Sequence, residues 1–253
     1  EYNNYNDILI FKGEYTNGKR NGKGTEYNSN GILEFEGEYL NNKKWNGKGY
    51  DLSNNIIYEL KNGKGYYIKY YDKDNCSSKF ECEYNNGEEN GLGKIYFQNK
   101  LIFEGEYLKG EKNGKGKEYD CGDILAFEGE YLYDYKIKGK EYIKGRLEYE
   151  GDYLFDKKYN GKGYDENSNI IYELINGNGK VKEYFLYESK LKFEGEYLNG
   201  TKNGKCKEYN NDGNLIFEGE YLNGIKWNGK ENKYYKNNLV YTINIVNGQQ
   251  LNF

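Results

Sequence analysis

The residues able to do chemistry in this chain are few in kind and repetitive in placement. None of its 253 residues is histidine, which removes the commonest general base and both the Ser-His-Asp and the Cys-His nucleophile arrangements. Carboxylates are plentiful, but the pairs that could share a proton recur from unit to unit, as Glu36 with Glu38, Glu104 with Glu106 and Glu218 with Glu220. A pair that recurs this way reads as surface patterning, so no catalytic residue is assigned. Gly18 followed by Gly22-Lys23 is one residue short of a Walker motif and has neither the following hydroxyl nor a helix pattern after it. Asp72, Asp74 and Glu83 fall where a calcium loop has ligands, but Cys76 interrupts the set and the turn glycine is missing. Cys76, Cys82, Cys121 and Cys206 form no C-x-x-C pair and have no histidine to complete a zinc set. They read as free thiols in a reducing, cytoplasmic compartment. No metal, no cofactor and no enzymatic activity are expected.

What remains is the pattern that positions all of these groups. Phe103-Glu104-Gly105-Glu106-Tyr107-Leu108 and the glycine-rich run after it return along the whole chain, with starts at Phe11, Phe35, Tyr58, Phe80, Phe103, Phe127, Tyr149, Tyr172, Phe193, Phe217 and Tyr241. Phe35, Gly37 and Tyr39 alternate with Glu36, Glu38 and Leu40, a strand period with aromatics on one side. A polar segment such as Asn17 to Asn21 precedes a second strand, Gly22 to Tyr27, and a second turn signal follows at Asn30-Gly31. Two strands and two turns per unit predict an all-β fold: one elongated, open antiparallel meander of about eleven stacked β-hairpins, a single array over residues 1–253 without long helices.

The alternation assigns the faces. Phe35, Gly37, Tyr39, Gly47 and Gly49 share one, where a ring from a neighbouring hairpin is expected to lie across Gly37, Gly105, Gly195 and Gly219. Glu36 and Glu38 oppose Lys23 and Lys48 on the other, contributing roughly 0.2–1 kcal/mol per cross-strand pair. Hydrophobic residues make up 36% of the chain and half of those are aromatic, with 32 Tyr and 34 Gly, which suits a thin ring-coated sheet better than an aliphatic globule. The excess of Asn and Lys is put down to nucleotide bias, so single residues of those types carry little weight. The absence of methionine predicts a chain that starts downstream of an initiator.

Net charge is −4, with acid and base interleaved. That excludes a basic nucleic-acid binder and weakens attraction to an anionic membrane. No apolar run approaches the roughly 20 residues of a membrane-spanning helix.

Three hairpins are short, those at Tyr58, Tyr172 and Tyr241, and each follows a unit with one extra residue, Trp45, Tyr159 or Trp227. Lys44 to Gly65 recurs nearly intact as Lys158 to Gly179, which points to duplication of a five-unit block. Two readings of the extra rings stay open: they fold over the short hairpin and fill its missing volume, or they stand exposed as interface anchors.

Phe-Glu-Gly-Glu-Tyr-Leu-Asn-Gly-x-Lys-Asn-Gly-Lys-Gly resembles the MORN repeat, over nearly the whole chain, and is similar to bacterial MORN-like proteins of antitoxin type. Tyr stands here where that pattern prefers Trp. The resemblance implies a twisted sheet of hairpins with an aromatic groove, serving as a scaffold in cytoskeletal or membrane-associated assemblies. It also implies dimerisation through terminal repeats, and phospholipid binding in some members. The expectation is therefore a protein-binding scaffold. Its candidate contact residues are Trp45, Tyr159, Trp227, Tyr39, Tyr107, Tyr131, Tyr197 and Tyr221, and self-association is expected through the β-branched stretch Val240 to Val246. A phospholipid-binding module, or a regulatory array of a larger protein, is the alternative.

Overall fold

The computed structural model describes residues 1–3, 7–73, 76–120, 123–185 and 190–251, without the side chains of 71–73, 76 and 77. Cys121 and Asp74, weighed above, lie outside the described residues. The chain divides into two compact units, Glu1–Asp123 and Ile124–Phe253. No helix occurs among the described residues, hence none long and apolar enough to cross a membrane.

The first unit holds β1 (Phe11–Thr16), β2 (Lys19–Tyr27), β3 (Leu33–Leu40), β4 (Lys43–Tyr50), β5 (Ile56–Lys61), β6 (Lys64–Lys73), β7 (Cys76–Asn85), β8 (Glu88–Phe97), β9 (Lys100–Leu108) and β10 (Glu111–Tyr119). The second holds β11 (Leu125–Leu132), β12 (Tyr135–Ile143), β13 (Arg146–Leu154), β14 (Lys157–Tyr164), β15 (Ile170–Leu174), β16 (Gly179–Tyr184), β17 (Leu191–Leu198), β18 (Thr201–Tyr209), β19 (Leu215–Leu222), β20 (Ile225–Tyr235), β21 (Asn238–Val246) and β22 (Gln249–Leu251). Within each unit every strand except β16 pairs antiparallel with the one before it, and the sheets are open. The expected single sheet is corrected in the second unit. The ladder lapses between β15 and β16, where the short turn leaves only the bridge Ile175↔Asn178, and β16–β22 form a sheet of their own.

The second strands also start earlier than the sequence suggests: β2 begins at Lys19, leaving only Asn17-Gly18 as the turn. The difference is taken up by bulges. In β1–β2, β7–β8, β9–β10 and β17–β18 one glutamate faces a stretch of three residues. Gly22, Gly91, Gly114 and Gly204 sit in those stretches with positive φ. The carboxylates of Glu14, Glu83, Glu106 and Glu196 lie against these glycines and accept the N–H of the next residue, at 3.0 Å for Glu106 and Lys115. The recurring carboxylates are thus caps for exposed backbone as well as surface charge. In β3–β4, β11–β12, β13–β14 and β19–β20 a single extra residue bulges instead: Trp45, Ile137, Tyr159 or Trp227.

One face carries the core. Phe11, Phe35, Phe103, Phe127, Tyr149, Phe193 and Phe217 are fully buried. Tyrosines of the second layer set an edge against rings of their own and the preceding hairpin, as Tyr39 does with Phe35 (5.5 Å) and Phe11 (5.1 Å), Tyr153 with Tyr149 and Phe127, and Tyr221 with Phe217 and Phe193. A cation then covers the ring: Arg20 over Phe11 at 4.0 Å, Lys112 over Phe103 at 4.0 Å, Lys202 over Phe193 at 3.9 Å. Glutamates close the layer, with Glu26 holding Arg20 and Lys44, and Glu208 holding Lys202 and Lys226. A single sheet builds its own second layer from side chains in this way.

Neighbouring hairpin tips are joined by asparagines, which the composition argument had discounted. The side-chain oxygens of Asn21, Asn46, Asn90, Asn160, Asn178, Asn203 and Asn228 each accept the N–H of the first turn residue of the next tip. Asn203→Ala is expected to lower the unfolding free energy by about 1 kcal/mol, whereas Asn203→Asp, which keeps the acceptor, loses less. Urea midpoints for the two variants measure this, and an unchanged midpoint for the alanine variant removes the joint from the account.

Candidate functional site

Tip residues decide what the second unit presents to solvent. Most hairpins turn over two residues that both have positive φ, a geometry that favours Asn-Gly. Asn17, Asn41, Asn86, Asn199 and Asn223 fill the first turn position accordingly. The tip of β11–β12 has Tyr133 there, at φ 50°, and the tip of β13–β14 has Phe155, at φ 49°. A bulky ring in the left-handed region is an outlier that costs about 1 kcal/mol or more. Both rings stand out in water, 59% and 69% exposed. Tyr135 completes the group, its ring 5.6 Å from that of Phe155 and nearly perpendicular to it. Leu132, Leu154 and Ile137 flank them, also exposed. The Lys136 N–H donates to the Asp156 carboxylate at 2.7 Å and fixes the two tips together. The result is an apolar ridge across two hairpins, held on a strained backbone at a position where eight of the other two-residue tips use asparagine and four use glutamine or lysine.

The residues singled out from sequence lie elsewhere. Tyr39, Tyr107, Tyr131 and Tyr221 are buried in the core layer, and Tyr197 is half-buried with its hydroxyl on Glu183. Their face is closed by the protein's own lysines, arginine and glutamates, so the expected open aromatic groove is absent there. Trp45 and Trp227 are half-buried over the turns of the short hairpins. A Cβ on Gly63 would stand 2.5 Å from the Trp45 ring, and one on Gly248 3.5 Å from the Trp227 ring. Each carbonyl also accepts an N–H from the same turn, Gly63 to Trp45 at 2.7 Å and Gly248 to Trp227 at 2.9 Å. Tyr159 makes the equivalent carbonyl contact with Gly177 at 2.7 Å. The tryptophans thus cover the notches. Ile137 holds the same bulge position in front of a full-length hairpin, and there the side chain is exposed.

Titratable groups cluster at one further place. Lys158 sits over the Tyr149 ring at 4.7 Å, between Glu141 at 2.9 Å and Glu148 at 2.6 Å. Glu148 is 7% exposed and borders a cavity of about 300 Å³ with Arg146, Tyr164 and Tyr184. Burial alone would lower the Lys158 ammonium, but the two carboxylates outweigh it and hold it well above its ordinary value. Burial pushes Glu141 up, yet Lys158 brings it below the usual range. Glu148 stays raised, since burial and the charge of Glu141 together exceed the pull of Lys158. Burial likewise pushes the Cys82 and Cys206 thiols up to about 12, which leaves them unreactive at neutral pH. Glu83, of the calcium-like set, is committed to the Leu92 N–H at 3.0 Å. Among the described residues no group of three acidic or sulfur side chains is placed to hold a metal.

No family model matches the chain, and no curated protein does either. The ridge was missed in the sequence because the aromatic ladder drew attention to the strands. The signal was present at the turns, where Tyr133-Asp134 and Phe155-Asp156 replace Asn-Gly and Asn-Asn.

Proposed function

We propose that the protein is a non-catalytic scaffold of the MORN-like kind its repeat resembles, and that it recognises a protein partner through the ridge of Leu132, Tyr133, Tyr135, Leu154 and Phe155. The observation that carries this reading is the backbone strain at Tyr133 and Phe155. Of the other described two-residue tips, eight put asparagine at that position and four put Gln98, Lys109, Lys144 or Lys236 there; only these two place an aromatic ring in the left-handed region, so the rings bring a gain outside the fold. Exposed aromatics on a rigid hairpin are the side chains that dominate protein interfaces. Asp134 and Asp156 stand at the apex beside the rings, which favours a protein over an anionic bilayer.

The test restores the turn chemistry used elsewhere in the chain. The double variant Tyr133→Asn, Phe155→Asn is expected to melt at or above the parent temperature, since the strain is relieved. Its affinity for a partner recovered with the parent protein is expected to fall about 30-fold or more, measured by calorimetry with that partner purified. Equal affinity of parent and variant ends the reading. Flotation of the parent with phosphatidylserine vesicles, lost in the variant, would move the ridge to a membrane role.

A further inference from the structure

The first unit carries a different patch, on the face opposite its aromatic core. Across β6–β9 that face reads Tyr66, Glu83, Leu92, Glu106 in one row and Ile68, Glu81, Lys94, Glu104 in the next. Tyr70 and Tyr96 continue it, with Lys79 paired between them and its ammonium 4.3 Å from the Tyr96 ring. Leu92 is 61% exposed, Tyr66 and Tyr70 are exposed, and Ile68 is half-buried.

The chain supplies its own comparison. Gly65 to Tyr70 corresponds to Gly179 to Tyr184 in the duplicated block, where Tyr66 and Ile68 are matched by Lys180 and Lys182. Leu92 stands between Gly91 and Gly93, where Gly22-Lys23-Gly24 and Gly114-Lys115-Gly116 have lysine. Those lysines face glutamates, as Lys23 does Glu38 and Lys180 does Glu196. The sheet therefore forms with lysine at these positions, and the apolar residues are not required for packing. Replacing three cations leaves Glu83 and Glu106 opposite Tyr66 and Leu92 instead of lysine, and the local balance turns acidic around an apolar centre.

We propose that this face of β6–β9 is a second recognition surface, and that its occupant is a peptide segment combining apolar side chains with lysine or arginine. The apolar centre would be covered by the segment's apolar side chains. Its cations would stand at the β6 and β8 positions of Tyr66 and Leu92, where the sheet lacks its own lysine beside Glu83 and Glu106. The framing carboxylates repel an anionic bilayer and a nucleic acid alike.

Full-length protein labelled with nitrogen-15 is titrated with three peptides: alternating Lys-Leu, alternating Glu-Leu and alternating Lys-Ser. The Lys-Leu peptide is expected to shift amides of residues 66–70 and 80–94 and to bind at least about tenfold more tightly than either control, with affinity falling as salt rises. Tyr66→Lys with Leu92→Lys, which installs the residues used elsewhere in the chain, is expected to abolish that preference while leaving the rest of the spectrum unchanged. Phe155→Asn should leave it intact, which separates this surface from the ridge. Equal binding of all three peptides, or shifts confined to residues 132–156, overturns the proposal, and the peptide comparison stands even if the double variant folds poorly.

Discussion

Lys158→Ala lowers the unfolding free energy by about 3–5 kcal/mol at neutral pH, the loss expected when one partner of a buried ion cluster is removed. The alanine would leave Glu141 and Glu148 facing each other over the Tyr149 ring with no cation between them. The pH dependence identifies the cause. Glu141 is lowered by folding, so its contribution is present above the ordinary carboxylate range and fades as pH falls through its folded value. Glu148 is raised by folding, so its contribution is present at low pH and is lost as pH rises through its folded value. In the alanine variant both carboxyls resist ionisation, and the deficit against the parent should shrink as pH falls into the ordinary carboxylate range. Glu148→Gln, which keeps an acceptor for Lys158, should be at least as stable as the parent at pH ~7. Denaturant titrations at neutral and acid pH check all three statements. A deficit for Lys158→Ala that does not change with pH assigns the loss to packing instead.

Gly105→Val lowers the unfolding free energy by about 3 kcal/mol, the upper part of the range for overpacking. The cause differs from the one the alternation suggested. A Cβ on Gly105 would lie 2.7 Å from the Gly116 Cα, 2.7 Å from the Lys115 carbonyl oxygen and 2.8 Å from Cζ of Phe103. Two of those atoms are backbone of the paired strand, and the ring belongs to the same strand, not to a neighbouring hairpin. Gly37, Gly195 and Gly219 repeat the arrangement, with Cys206 as the cross-strand neighbour of Gly195. Pairing glycine with glycine across the ladder lets the phenylalanine lie flat along its own strand. If the backbone is the main obstacle, adding Phe103→Leu to Gly105→Val gives little recovery in thermal melts. A full recovery would show that the ring alone sets the limit.

The repeated hairpins could be read because their period is written in residues with one use: phenylalanine, glycine and tyrosine at alternate places. The cations over the rings could not, since Arg20, Lys44 and Lys202 sit near turns, where a sequence reading assigns them to solvent. Bulges hid them. A bulge shifts the register by one or two residues, and alternation counted through Gly22 or Trp45 puts later side chains on the wrong face. Glu148 had a local signal. Its place before the aromatic is held by Ile10, Ile57, Ile102, Ala126, Ile171, Ile216 and Val240 in seven units and by Lys79 and Lys192 in two, and only Glu34 and Glu148 put an acid there. The ridge was legible as turn chemistry that fails its own rule at Tyr133 and Phe155. The patch around Leu92 was legible as a missing lysine.

The lapse between β15 and β16 has a mechanical side. Strands resist shear through the number of hydrogen bonds that cross between them, and compliance gathers where that number drops. At this turn the load passes through one bridge and through the contacts running from Tyr159 to Gly177 and from Gly177 to Gly200. The second unit therefore has a soft joint between the hairpins that carry the ridge and the sheet that follows. Were the proposed partner seated on Tyr133 and Phe155, it would pull on β11–β14 while β16–β22 yielded at the joint, and strain imposed at one end would reach the other attenuated.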